Sequence, residues 1–210
     1  MIVVRVAVLF GISLLLGVLL GFLELGQPTS MIISIIVIAV LGTYLFIYPI
    51  YWEKNVRKIE SYLEKRRKNP AFKLYYGMGN RIDQDVKEAT ESLLRKYKDS
   101  ARQALFKTLH ALYEDDILRV KKDIEDIRPL QYKAYYQAIV AVEEGKLEQA
   151  TELGNQVKSE WMKHALASGI AKKKGNHDEY VAEIRKAYEK TRGMQRYILY
   201  KQFEEDIKVG

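Results

Sequence analysis

Three histidines, His110, His164 and His177, are the side chains of this sequence best suited to hold a metal or to transfer protons. None of them has a second histidine or a carboxylate three or four residues away in a recognised metal-binding arrangement, and no H-E-x-x-H motif occurs. His164 lies one helical turn from Glu160, but a single pair of this kind is a common surface contact. The histidines therefore do not predict a metal site.

Other stretches with suggestive composition do not match a known chemical motif either. The glycine-rich segment GMGN, Gly77–Asn80, has no preceding strand and no G-K-[ST], so it does not predict a phosphate-binding loop. Carboxylates cluster in YEDD and EEDI, but at a turn and in a tail such groups are usually solvated. The chain has no cysteine, which excludes disulfides, thiolate zinc sites and cysteine nucleophiles. We expect no catalytic residue, no cofactor and no metal, and therefore not an enzyme.

Charges are nearly absent from the first 52 residues, which carry three charged groups including the N-terminal amine. Two apolar runs, Ile2–Leu23 and Met31–Trp52, are each about 22 residues long. A helix of that length crosses the roughly 30 Å hydrocarbon core of a bilayer. The segment between them, ELGQPTS, contains Gly26 and Pro28 and suits a tight turn. We predict a transmembrane hairpin over residues 1–52.

A cleaved signal peptide and a buried two-helix core are the alternatives to this hairpin. The first run is long for a signal peptide, no A-x-A site precedes Glu24, and a second apolar run follows at once. Runs that are apolar on every face are rare in soluble domains. Four aromatic residues gather at the end of the second run: Tyr44, Tyr48, Tyr51 and Trp52. Such a group is typical of the aromatic belt at a membrane–water interface and therefore favours the hairpin.

Small residues recur every four positions in the first run, at Ser13, Gly17 and Gly21. This spacing lets membrane helices pack closely, although glycine is common in membrane helices generally. Both interpretations stay open. If the residues do pack, we expect their partner to be the second helix of the hairpin rather than another copy of the chain.

Basic residues follow the second run, whereas the turn between the runs has none. The positive-inside rule therefore predicts a multi-pass protein of the inner cell membrane with both termini in the cytoplasm. Within residues 53–73, eight Lys and Arg stand against three Glu, which accounts for five of the seven net positive charges. Such clusters attract anionic lipid, and they also act as topology determinants. We predict a basic juxtamembrane helix over residues 53–69 that contacts lipid headgroups through Lys54, Arg57, Lys58, Lys65, Arg66, Arg67 and Lys68.

From residue 70 onward the pattern is helical and repeats about every thirty residues. Asp115, Gly145 and Gly175 lie at the same phase in polar turns, and an alanine lies four positions before each. Residue types favoured at helix N-termini follow the same spacing, at Asn69, Asp99 or Ser100, Pro129 and Ser159. Such a period is typical of stacked helix–turn–helix units. We expect an all-α fold with a helical-repeat domain over residues 70–210, closed by a C-terminal helix over Met194–Ile207.

The unit resembles the tetratricopeptide repeat, most clearly between about Leu130 and Glu160. The positions that carry the resemblance are Ala138, Gly145, Leu147 and Ala150. The neighbouring copies depart from the family, because Tyr180 replaces an alanine, Asp115 replaces the turn glycine, and the period is nearer 30 than 34. The resemblance covers roughly residues 70–190 and implies a cytosolic α-solenoid. The layout is also similar to that of bacterial proteins with two N-terminal spans followed by such repeats.

The resemblance implies a groove lined by the first helices of the repeats. Its inward positions would be Leu109, Leu112, Tyr113, Tyr132, Tyr135, Val142, Lys172 and Lys173. Aromatic surface with a basic end suits an extended peptide with an acidic or C-terminal group. The family's clamp for acidic tails uses asparagines, whereas Leu109, Ile139 and Gly169 stand at that level here, so we do not expect that ligand. Tyr132 and Tyr135 alternatively pack between repeats, and both interpretations stay open.

Nucleic acid is not an expected partner, although the chain carries a net charge of +7 and 15 tyrosines. Beyond residue 73 and excluding the apolar region, the charges nearly balance, at 25 Lys and Arg against 23 Asp and Glu. A groove that follows phosphates needs a basic excess. The tyrosines moreover fall mostly at repeat-phased positions rather than on a stacking face.

These observations predict a membrane-anchored scaffold or adaptor that binds a protein partner at the inner face of the membrane. An anionic-lipid-binding protein that organises the membrane is one alternative. An accessory subunit of a membrane complex, contacting it through the spans, is another. The partner, the pathway and the oligomeric state do not follow from the sequence.

Overall fold

A computed structural model of the chain describes Gly11, Leu15, Gly17 and residues 27–208. Every regular element in this part of the chain is helical, which confirms the all-α class. The α-helices are α1 (Gln27–Tyr51), α2 (Val56–Glu64), α3 (Pro70–Asn80), α4 (Asp83–Lys96), α5 (Ser100–Tyr113), α6 (Leu130–Glu143), α7 (Leu147–Gly154), α8 (Glu160–Lys173), α9 (His177–Lys190), α10 (Gly193–Gln202) and α11 (Glu204–Lys208). Two 3-10 helices, Ile117–Val120 and Asp123–Asp126, lie between α5 and α6. The boundary between two compact units falls between Trp52 and Glu53.

Helix α1 is the one helix of the described residues that is long and apolar enough to cross a membrane, by length and composition. Its large apolar side chains are exposed, with Met31 at 65% and Val40 at 61% of full exposure. The first predicted span, Ile2–Leu23, lies outside the described residues apart from Gly11, Leu15 and Gly17. The first membrane helix of the predicted hairpin is therefore not among the elements described.

Both ends of α1 differ from the sequence prediction. The helix already includes Pro28, which was expected in the turn, because proline is tolerated in the first helical turn where its missing N–H has no partner. The helix ends at Tyr51 and α2 begins at Val56, so the chain does not run as one helix into the basic segment. The basic helix is shorter than the predicted range 53–69.

The first helix of each repeat begins at a thirty-residue interval, as the sequence predicted. Helices α3, α5, α6 and α8 start directly after Asn69, Asp99, Pro129 and Ser159. The Asn69 side chain accepts a hydrogen bond from the Ala71 amide at 2.9 Å, and the Asp99 side chain accepts one from Arg102 at 3.0 Å. These bonds satisfy amides that have no partner within the helix.

The turns that end three of these helices share one conformation. Asp115, Gly145 and Gly175 have φ values of 55°, 75° and 75°. In each copy the amide of the residue after the turn residue donates a hydrogen bond to the carbonyl of the alanine four positions before the turn residue. The donor–acceptor pairs are Asp116–Ala111 (2.9 Å), Lys146–Ala141 (2.8 Å) and Asn176–Ala171 (3.0 Å). All three alanines are buried. The repeat inferred from residue spacing thus corresponds to a repeated backbone motif, the Schellman cap.

The second copy departs from the helix–turn–helix pattern, because two 3-10 helices replace its second α-helix. Its buried residues, Ile117, Val120, Ile124 and Ile127, are spaced by three, four and three positions. That spacing places all four side chains on one side of the segment, which is the side that packs into the core.

The last helices pack on the first ones of the same unit. Helix α10 contacts α2 and α3 as well as α9 and α11. Tyr197 of α10 is completely buried, and Gly79 of α3 lies against its ring. In an open solenoid each repeat contacts only its neighbours. The contact of α10 with α2 and α3, which we call the seam, differs from the open array that the resemblance implied.

Candidate functional site

The basic segment beside the apolar helix is an amphipathic helix in the structure. Asn55 begins α2, and its side chain accepts a hydrogen bond from the Lys58 amide at 3.1 Å. The apolar residues Ile59, Tyr62 and Leu63 are buried on one side. Burying this side fixes which residues of α2 face away from the protein.

The structure divides the seven bases predicted to contact lipid into two groups. Arg67 forms an ion pair with Asp85, a carboxylate that is buried and also lies 3.6 Å from the Lys73 ammonium. The Arg66 guanidinium lies 4.0 Å from the centre of the Tyr62 ring. The remaining five are exposed and form no ion pair with another described residue: Lys54, Arg57, Lys58, Lys65 and Lys68.

The seam holds this basic segment in place through contacts with α10. The Gly193 amide donates to the Glu53 carbonyl at 2.8 Å, and Arg196 Nε donates to the Lys54 carbonyl at 2.9 Å. Lys201 forms an ion pair with Glu60 of α2 at 2.7 Å. The backbone that enters α2 is therefore fixed by residues about 140 positions later in the chain.

The centre of the seam explains the glycine-rich segment GMGN. Gly77 and Gly79 allow the backbone of α3 to approach its neighbours. A Cβ added at Gly77 would lie 2.9 Å from Asp85 Cβ, and one added at Gly79 would lie 2.5 Å from Tyr197 Cε1. Asn80 donates a hydrogen bond to the Tyr197 hydroxyl at 2.7 Å. Burial raises the pKa of the Tyr197 phenol. The segment serves close packing, consistent with the absence of phosphate-loop features in the sequence.

Tyr132 and Tyr135, two of the predicted groove residues, are partly buried on α6. Both pack against the apolar cores on either side of this helix, and the Tyr135 ring lies 5.7 Å from that of Trp161. Burial raises the pKa of Tyr135. Tyr132 and Tyr135 thus pack partly against these cores and keep part of each side chain exposed.

The other predicted groove residues are not all accessible. Val142 is buried against Ala141 and Ala150, so it does not line an open groove, because the following helix covers its side of α6. Tyr113 donates a hydrogen bond to Asp83, and burial together with this bond raises its pKa to about 12. Lys172 and Lys173 are exposed, and Lys173 forms an ion pair with Glu143 at 2.9 Å.

Of the three residues predicted to pack between membrane helices, the structure describes Gly17. Gly17 is helical, and a Cβ added there would meet nothing within 4 Å. Ser13 and Gly21 lie outside the described residues.

The histidines lie in ordinary polar contacts. His164 Nδ1 is 2.7 Å from Glu183, and His110 is 3.4 Å from Glu114. Within residues 27–208, no three His, Asp or Glu side chains are grouped so that they could hold a metal ion.

The residues that sequence reasoning missed are three of the seam, Arg196, Tyr197 and Lys201, and the buried Asp85 of α4. One signal was present, because two glycines within a helical stretch often mark a close approach of another element. The partner that approaches could not be read from that signal.

The described residues form an all-α protein of packed helices, and an apolar helix, α1, precedes these helices in the chain. No family model, curated protein or solved structure matches the chain.

Proposed function

We propose that this protein is a scaffold anchored in the inner membrane of a bacterial cell, where it holds a protein partner close to the membrane. Helix α1 carries the proposal, because its apolar side chains are exposed along its length. So large an apolar surface is stable when lipid or another protein covers it. Four residues then lead into a compact helical unit.

The helical unit favours a role in binding over a role in catalysis. Its first helices begin every thirty residues, three of them have a buried alanine near their end, and stacked units of this kind are typical of interaction scaffolds. Anchoring such a unit raises the local concentration of its partners at the membrane. We also propose that the repeats are tetratricopeptide-like and that two membrane spans form a hairpin with both termini in the cytoplasm.

We further propose that the partner contacts the first helices through the exposed parts of Tyr113, Tyr132 and Tyr135 and through Lys172 and Lys173. Val142 does not belong to this surface. A partially exposed row of aromatic residues that ends in lysines suits an acidic or C-terminal peptide.

A photo-crosslinking residue placed at position 132 or 172 of the full chain, in native membranes, tests this binding surface. The same adduct is expected from both positions, and its yield from position 132 should fall in the Lys172→Glu, Lys173→Glu variant. The exposed Lys87 supplies the control position. If position 87 gives the same adduct, or if charge reversal has no effect, the proposed surface is wrong.

The membrane topology is tested separately with a reporter fused after Gly210. A reporter that is active only in the cytoplasm should be active. Activity confined to reporters that work outside the cytoplasm would reject the orientation and with it the location of the scaffold.

A further inference from the structure

We propose that five exposed bases on α2 and its flanking turns form a binding surface for anionic phospholipid headgroups. The surface consists of Lys54, Arg57, Lys58, Lys65 and Lys68. This inference rests on the membrane location in the proposed function and names a second partner for the same protein.

One base of α2 lies on the side opposite its buried residues, and others lie at the edge of that side. A rotation of about 100° per residue places Arg57 opposite Ile59, Tyr62 and Leu63, and places Lys58 and Lys65 at the edge next to Tyr62. Lys54 and Lys68 lie in the turns on either side and are also exposed.

Acidic residues of the same segment offset only part of this charge. Glu60 is paired with Lys201, and the Glu53 carboxylate accepts hydrogen bonds from the Lys54 and Asn55 amides at 3.0 and 2.9 Å. Glu64 is exposed. Five bases therefore stand against two carboxylates that have no ion-pair partner among the described residues, Glu53 and Glu64, so the surface keeps a positive excess.

The structure also explains why Arg66 and Arg67 do not belong to the surface. Arg67 neutralises the buried Asp85, and releasing it would leave that carboxylate in a poorly solvated position. The Arg66 guanidinium stacks on Tyr62 at 4.0 Å. Both arginines stabilise the fold, and the five other bases remain available for lipid.

Charge complementarity and position in the chain favour lipid as the occupant. Four residues separate the apolar helix α1 from α2, and basic clusters at this position are attracted to anionic headgroups. Contacts with α10 already hold the backbone of Glu53 and Lys54, so little further ordering is needed for binding. Elsewhere in the helical unit, basic and acidic residues are nearly balanced.

Amine-reactive labelling of the full chain in vesicles, read by mass spectrometry, tests the surface. The vesicles contain phosphatidylcholine alone or an equimolar mixture with phosphatidylglycerol. In the anionic vesicles at low salt we expect the reactivity of Lys54, Lys58, Lys65 and Lys68 to fall about fivefold, and to recover at high salt. Five lysines that are exposed and form no ion pair with a described residue serve as internal controls: Lys87, Lys98, Lys122, Lys158 and Lys174.

A matched pair of variants gives a second readout, the amount of phosphatidylglycerol that co-purifies with each chain. The variant K54Q, R57Q, K58Q, K65Q, K68Q should retain at least about tenfold less of this lipid. The variant K87Q, K98Q, K122Q, K158Q, K174Q removes the same charge and should retain as much as the natural chain.

Several results would overturn the inference. Equal labelling in both kinds of vesicle, equal protection of the control lysines, or equal lipid retention by the two variants would each reject a lipid surface. Protection by a soluble oligonucleotide as strong as that by phosphatidylglycerol would assign the surface to nucleic acid instead. Alkaline carbonate extraction separates a failure of the membrane location from a failure of the lipid surface. If the extraction releases the chain from the membrane, the proposed location is wrong. If the chain is retained but its lysines are not protected, only the lipid surface is wrong.

Discussion

Replacing Gly79 by alanine is expected to weaken the seam. In most helices this change stabilises by about 0.5–1 kcal/mol, because glycine loses more backbone entropy on folding. Here the added methyl group would lie 2.5 Å from Cε1 and 2.6 Å from Cζ of Tyr197. The Tyr197 ring is completely buried, and its hydroxyl accepts a hydrogen bond from Asn80, so the ring cannot simply turn aside.

The size of the effect follows from this contact. Carbon atoms in contact normally lie about 3.5–4.0 Å apart, so α3 and α10 must separate by about 1 Å. Overpacking of this kind costs about 1–3 kcal/mol. Subtracting the gain in helix propensity from the middle of this range leaves a net loss of about 1 kcal/mol. The thermal midpoint of the helical unit should fall by roughly 2–4 °C.

Circular dichroism of the full chain in detergent, followed during heating, measures this loss. Gly154→Ala is the matched control, since its added methyl would meet Leu166 at 3.6 Å, an ordinary contact. That change should be neutral or stabilising. In a Tyr197→Leu background, Gly79→Ala should cost much less, because the two sites are coupled. If Gly79→Ala stabilises as much as Gly154→Ala does, the close packing at the seam is refuted.

Two further predictions concern the buried ion pair and the repeated turn. Arg67→Gln should lower the free energy of unfolding by about 1–3 kcal/mol, which is less than for a fully buried pair because Arg67 is partly exposed. Lys68→Gln is the control and should change the free energy of unfolding by under about 0.5 kcal/mol. If chemical denaturation gives equal effects for the two variants, the ion pair of Arg67 with the buried Asp85 does not stabilise the fold. Asp115→Gly should stabilise by about 0.5–1 kcal/mol because it relieves a left-handed backbone, and Gly145→Ala should destabilise by about 1 kcal/mol. Changes of the same sign would contradict the shared turn conformation.

The repeat was the most predictable part of the fold, because its signals are local. A helix start needs only a capping residue such as Asn69 or Asp99, and a helix end needs a residue that tolerates positive φ, such as Gly145 or Gly175. These residues act within a single turn of backbone, so their thirty-residue spacing could be read directly. The buried alanines four positions before each turn were predictable for the same reason.

The seam was not predictable, because it joins residues that are far apart in the sequence. Tyr197 and Asn80 are 117 positions apart, and nothing in either local sequence specifies the other. The exposure of the seven bases predicted to contact lipid also depends on distant contacts. The ion pair of Arg67 and the aromatic contact of Arg66 depend on the positions of Asp85 and Tyr62, which the run of bases does not specify.

The seam also sets how many repeats this chain can contain. In an open array an additional repeat only lengthens the stack, because each unit contacts its neighbours alone. Here α10 must reach α2 and α3, and Tyr197 must reach Gly79. Duplication or deletion of one thirty-residue unit would displace α10 from both helices. A contact between the two ends of the helical unit thus constrains the number of helices between them, and we expect insertions to be tolerated only where they leave this contact in place.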